Sequence, residues 1–231
     1  MNLRGRCSCR GRCNDMCGIC GLLSIGPGMR LDDAERGVAV MLDVMGHRGP
    51  DGRASLQVPH GALGASRLAI RGLLNGAQPI VDDETGVVAV CNGEIDNHRT
   101  LRAWLAERGR TVVKDTDVAV IPGLYLELGE AFVERLEGAF ACAVYDPRSG
   151  KLIIARDLTG ERPLFYWQTG TGIGFASELS GVLSQIEAPA CVRETLGGYL
   201  TYGFFTAPGT PVAGVEKLRP GEMVTFDLAS P

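Results

Sequence analysis

The sequence predicts an α+β layered fold, and three observations predict it. Strand-length apolar runs recur along the chain, Gly- and Pro-bearing turns join them, and two blocks with helical spacing fall between them. The first element is the strand at residues 17–24. At 31–45, Leu31, Ala34, Val38, Met41, Leu42 and Met45 repeat at helical spacing, with Asp32 and Asp33 in the first turn, so this stretch reads as an amphipathic helix. A polar loop follows at 47–52. Strands are expected at 61–70 and 87–91, and a helix at 97–108. A second helix at 116–128 is expected to be interrupted or kinked by Pro122, and a short helical stretch follows at 132–136. Strands 139–146 and 151–157 join through Pro147-Arg148-Ser149-Gly150 as a hairpin. The pattern repeats at 164–168 and 173–176. A short helix at 177–183 and a late turn, Pro220-Gly221, with a strand at 223–226 complete the series.

Composition narrows the function classes. The chain has 231 residues, 45% of them hydrophobic, enough for a substantial core. A net charge of -4 gives no reason to expect a nucleic-acid partner. The longest apolar runs, 87–91 and 139–145, are too short for a membrane span. The Arg- and Cys-rich residues 1–15 lack the apolar region of a secretory signal and read as a flexible tail or processed segment. A reducing, cytoplasmic compartment is therefore expected, without a disulfide framework. Of the eight cysteines, Cys7, Cys9, Cys13, Cys17 and Cys20 cluster near the start. Their spacing offers no paired CxxC motifs and no nearby His, so no metal site is expected. Cys20 and Cys142 read as buried strand residues.

Several short blocks carry a specific likeness. They are Met16-Cys17-Gly18-Ile19, His47-Arg48-Gly49-Pro50-Asp51-Gly52, Arg67-Leu68-Ala69-Ile70, Gly76-Ala77-Gln78-Pro79, Asn92-Gly93-Glu94-Ile95 and Asp115-Thr116-Asp117-Val118. Leu136-Glu137-Gly138-Ala139-Phe140, Ala155-Arg156-Asp157, Pro163-Leu164 and Phe175-Ala176-Ser177-Glu178 continue the series. In these blocks and their order the chain from Met16 onward resembles the glutaminase domain of glutamine-dependent asparagine synthetase, a class II glutamine amidotransferase of the N-terminal-nucleophile hydrolases. The resemblance implies a four-layer αββα sandwich. It also implies hydrolysis of L-glutamine to glutamate and ammonia, with the ammonia passed to an ATP-dependent synthetase domain. The glutaminase reaction itself is expected to need no cofactor or metal; ATP and magnesium belong to the synthetase half.

The resemblance assigns roles residue by residue. Cys17 would be the nucleophile, with its own α-amine as base, whose reference pKa near 8 suits neutral conditions. Asn92 and Gly93 would form the oxyanion hole; on the residues alone they read as a tight turn after the strand 87–91. Arg67 would clamp the substrate carboxylate, and Glu94 and Asp115 would receive its ammonium; on the residues alone all three read as solvated charges. Arg48 and His47 are expected to organise the pocket loop, and Arg156-Asp157 to support structure or an interface.

An N-terminal nucleophile requires residues 1–16 to be removed, leaving 17–231 as the amidotransferase domain. Met16 stands where a start codon would be needed, which favours a mis-assigned start over a cleaved leader. Three departures from the family pattern stand out: Asp96 replaces a Tyr, Ala65-Ser66 precede Arg67, and no pyrophosphate-binding loop follows Pro220-Gly221. Without a synthetase domain the chain is expected not to make asparagine by itself. A stand-alone glutaminase subunit for another amide-forming synthetase, or a catalytically silent regulatory or binding domain, are the alternative readings.

Overall fold

The strand β1 (Gly18–Ser24) shows how the layers arise. Side chains alternate across a strand. Ile19 and Leu23 therefore point one way, into a core with Val88, Val90, Ala141 and Ala143. Cys20 and Leu22 point the other way, against Val38, Met41 and Leu42. The computed structural model describes residues 16–26, 29–68 and 76–229.

Two antiparallel sheets carry this alternation. The first contains β1, β2 (Gly52–Val58), β3 (Gly61–Arg67), β8 (Phe165–Gln168), β9 (Gly172–Ala176) and β10 (Val215–Lys217), in the order β10-β8-β9-β1-β3-β2. The second contains β4 (Ile80–Val81), β5 (Val88–Gly93), β6 (Phe140–Asp146), β7 (Lys151–Arg156) and β11 (Met223–Asp227), in the order β11-β7-β6-β5-β4. On β5, β6 and β7 the same division holds. Val88, Val90, Ala141, Ala143, Leu152 and Ile154 face the first sheet. Ala89, Cys91, Cys142, Val144, Ile153 and Ala155 face a helical layer.

Helix α1 (Leu31–Val44) lays Ala34, Val38, Met41 and Leu42 on the outer face of the first sheet, as its spacing predicts. On the outer face of the second sheet lie α2 (His98–Ala106) and α3 (Val120–Leu128), which bury Leu101, Leu105, Val120, Ile121 and Leu124. The order helix, sheet, sheet, helix is the αββα sandwich expected from the resemblance. Among the described residues no helix is long and apolar enough to cross a membrane.

The differences from expectation are local. The helix expected at 116–128 begins as a 3-10 turn, Asp117–Ala119, and becomes α3 at Val120. Pro122 does not interrupt α3, because it lies in the first turn, where an N–H has no partner inside the α-helix. The strand expected at 61–70 ends at Arg67, and residues 69–70 lie outside the described ones. The edge strand β2 has no counterpart in the apolar pattern. Its residues 52–55 are exposed, so it lacks the alternation that marks a half-buried strand. Beyond the short helix α4 (Leu179–Leu183) lies α5 (Glu194–Tyr202), which buries none of its residues and has no counterpart among the expected helices.

Candidate active site

Cys17 precedes β1, at the end where that strand pairs with the close of β3; Gly18 faces Ser66 there. A side chain at position 18 would stand 2.7 Å from Ser66 Oγ and 3.3 Å from Arg48 Cδ, so glycine lets the strand approach both. The Leu68 N–H donates to Cys17 Sγ at 3.4 Å, and Sγ lies 3.7 Å from the Leu68 carbonyl oxygen. Burial pushes the thiol above its ordinary range. The Leu68 N–H and the charges of Arg67 and Arg48 draw it back only in part, and Asp117 adds to the rise. A thiol raised in this way needs a base to become a nucleophile.

Arg48 ties this strand end to its surroundings. Its Nε donates to the Cys17 carbonyl at 3.0 Å and its Nη1 to Glu178 Oε1 at 2.8 Å. His47 Nε2 meets the same carboxylate oxygen at 3.0 Å. Burial alone would raise the Glu178 carboxyl, but hydrogen bonds from Arg48 and His47 outweigh it and hold the group below the usual carboxylate range. The Asn92 amide completes the network: its nitrogen donates to the Cys17 carbonyl at 2.6 Å and its oxygen accepts from Arg48 Nη2 at 3.3 Å.

Asn92 and Gly93 come from the second sheet. They are paired strand residues, opposite Ala141 and Phe140 in β6, and not the tight turn that the dipeptide suggests on its own. Gly93 has φ of +140°, and a Cβ there would lie 2.0 Å from the Ala139 carbonyl oxygen. Gly138 has φ of +138°, and a Cβ there would meet the Glu94 carbonyl oxygen at 2.2 Å. The segment beyond β5 is fixed by backbone contacts. The Glu94 N–H donates to Ala139 at 3.0 Å, the Asp96 N–H to Glu137 at 2.7 Å, and the Ile95 N–H to Asp117 Oδ2 at 2.8 Å.

A third wall is built by Arg156 and Asp157. Asp157 Oδ1 accepts the N–H groups of Thr159 at 3.0 Å, Gly160 at 2.6 Å and Glu161 at 3.1 Å; Oδ2 accepts those of Phe140 at 3.2 Å and Arg162 at 3.3 Å. The Arg156 guanidinium donates to the carbonyls of Gly160, Arg162 and Leu218. The pair is thus a structural brace, and it presents Arg162 to the same pocket.

One pocket gathers these elements. Cys17, Arg67, Asn92, Gly93 and Glu94 all line it, and so do Met16, Gln78, Thr116, Asp117 and Arg162. Asp115 does not line it and is exposed, whereas Asp117, two positions on, is buried there at the start of the 3-10 turn. Asp117 lies inside a block that carries the resemblance, but its inward orientation comes from the Ile95 N–H contact, which has no local signature. Gln78 lines the pocket because its side-chain amide pairs with both the N–H and the carbonyl of Cys91, at 2.6 and 2.9 Å. Cys20 and Cys142 are fully buried. Burial pushes the Cys142 thiol up to about 12. Cys7, Cys9 and Cys13 lie outside the described residues. Among the described residues no group of three or more His, Cys, Asp or Glu side chains is placed to hold a metal ion.

Comparison with known proteins decides the family: residues 16–230 match the glutamine amidotransferase domain. The chain belongs to that family. Among its curated relatives, asparagine synthetase [glutamine-hydrolyzing] 1 of Bacillus subtilis is 31% identical over 211 residues, covering 91% of this chain and 33% of the relative. Asparagine synthetase [glutamine-hydrolyzing] 3 of the same organism is 32% identical over 215 residues, covering 91% and 35%. This amidotransferase domain therefore spans about a third of the length of these relatives. Among solved structures, glutamine phosphoribosylpyrophosphate amidotransferase from B. subtilis aligns with a TM-score of 0.60 at 17% identity, covering 91% of this chain and 47% of that one. That likeness carries the fold.

Proposed function

We propose that this domain hydrolyses L-glutamine to glutamate and ammonia through a thioester on Cys17. The observation that carries the proposal is the convergence on one pocket of a thiol from the first sheet, an Asn-Gly strand end from the second, and charges of both signs. Free glutamine is a zwitterion, and a pocket that selects it needs both signs. Arg67 takes the carboxylate through its guanidinium fork. Glu94 and Asp117 face the ammonium; the resemblance assigns part of this role to Asp115, and the pocket geometry favours Asp117.

The chemistry needs a base because burial raises the thiol. Once residues 1–16 are gone, the α-amine of Cys17 takes the thiol proton, directly or through water. The thiolate attacks the γ-amide carbon. The Asn92 amide and the Gly93 N–H donate to the developing oxyanion. The amine returns the proton to the leaving nitrogen, ammonia departs, and water then cleaves the γ-glutamyl thioester. No step in this sequence calls for a metal or cofactor.

The ammonia goes to an ATP-dependent synthetase domain or subunit, where ATP and magnesium act; the relatives named asparagine synthetase extend well beyond this span. The reading places the protein in the cytoplasm, with neither nucleic acid nor membrane as partner. The test is ammonia and glutamate release by protein that begins at Cys17, compared with Cys17→Ala. Release in equal amounts with glutamate, abolished in the variant, supports the proposal. Unchanged release in the variant refutes it. Absence of release from correctly processed protein favours a silent binding domain.

A further inference from the structure

Arg162 has no role in the reaction described so far, yet it lines the same pocket as Cys17. Its backbone is held by the Asp157 carboxylate and the Arg156 guanidinium. Its Nη1 rests on Met16 Sδ at 3.1 Å, and its Nε is buried without a hydrogen-bond partner. A thioether is a weak acceptor. The guanidinium thus rests against the side chain of Met16, the residue whose removal creates the α-amine.

We propose that Arg162 is a positioning residue for the Cys17 α-amine: its fixed positive charge, uncovered when Met16 departs, keeps that amine in the uncharged form that accepts the thiol proton. This rests on the glutaminase reading above. The charges around the amine explain why such a group is needed. Glu94 and Asp117 line the pocket and would favour an ammonium. Arg48 opposes them, but Glu178 takes its charge at 2.8 Å. Arg67 is committed to the substrate carboxylate. Among the described residues Arg162 is the remaining cation of the pocket lining, and its guanidinium touches the Met16 side chain, next in sequence to the residue that would carry the amine.

The test is the pH profile of kcat/KM for glutamine hydrolysis by protein beginning at Cys17. Replacing Arg162 with a neutral residue removes a like charge, so the amine binds its proton more tightly and the acid limb moves to higher pH. For Arg162→Gln we expect a shift of about one pH unit. That is close to a tenfold loss on the acid limb, recovered above the shifted limb. Arg162→Lys keeps the limb of the parent protein, and KM changes little in either. Arg162→Met provides a second neutral variant of similar length, and thermal melting identifies any variant that fails to fold. An unmoved limb in the folded neutral variants overturns the proposal. So does a loss that is equal at every pH, or a rise in KM alone, which would make Arg162 a substrate clamp. Failure of the parent protein to release ammonia would instead sink the glutaminase reading.

Discussion

The two sheets make unequal contributions to the pocket. The second sheet supplies a strand end whose shape is dictated by backbone. Gly93 and Gly138 have positive φ and sit against carbonyl oxygens that leave no room for a Cβ, and Asp117 pins the Ile95 N–H. The first sheet supplies Cys17 through side chains. Arg48 and Asn92 both hold its carbonyl, and Glu178 holds Arg48. On the proposed mechanism the oxyanion half is thus built into the fold, while the nucleophile half depends on a charged network and on what precedes Cys17. Such preorganisation is needed on the side where charge develops, because donors that must reorient at that moment lose their advantage.

The backbone-dictated strand end of the second sheet is most sensitive at Gly93. Ala there would add strain at φ +140° and place a Cβ 2.0 Å from a backbone oxygen. Gly93→Ala is expected to cost about 2–4 kcal/mol of stability, read from denaturant midpoints, together with the activity. A neutral outcome would show that the second-sheet half is not fixed by backbone. Asn92→Ala separates chemistry from fold on the same strand. It should lower kcat by about 10²–10³ with a smaller effect on KM, the usual cost of one oxyanion donor. A loss confined to KM would remove Asn92 from the transition state.

The smallest effect concerns the first-sheet network. The Glu178 carboxyl is held below its ordinary range in the folded protein. Its contribution to stability is therefore complete above the unfolded carboxylate pKa and is lost as pH falls through the depressed folded value. Thermal midpoints of the parent protein should fall with acid over that window, and Glu178→Gln should flatten this part of the dependence. Equal slopes would mean that the Arg48–Glu178 pair does not tether the strand end.

Much of this arrangement is legible in the sequence, for identifiable reasons. Strands such as β6 and β7 declare themselves because both faces are buried, and α1 because one face is. The edge strand β2 and the exposed α5 give no such pattern. The site residues Cys17, Arg67, Asn92, Gly93 and Glu94 stand in short blocks that carry the resemblance, and the structure gathers them in one pocket. Asp117 and Arg162 are different. Arg162 is placed by the Arg156-Asp157 brace just before it, whose carboxylate and guanidinium hold its backbone. Asp117 is turned inward by the Ile95 N–H, 22 positions away, and no local spacing encodes that. The same holds for the strand pairing of Asn92-Gly93, whose local signature is a turn.

The central claim is that Cys17 acts as an N-terminal nucleophile, and it can be tested by a single added residue. Ammonia release from glutamine should be measured on protein that begins at Cys17 and on protein that retains Met16, with intact mass confirming each start. The first should release ammonia and form a γ-glutamyl adduct on Cys17, and the second should do neither. Equal rates from the two would contradict the account, because the base would then have to be some group other than the α-amine.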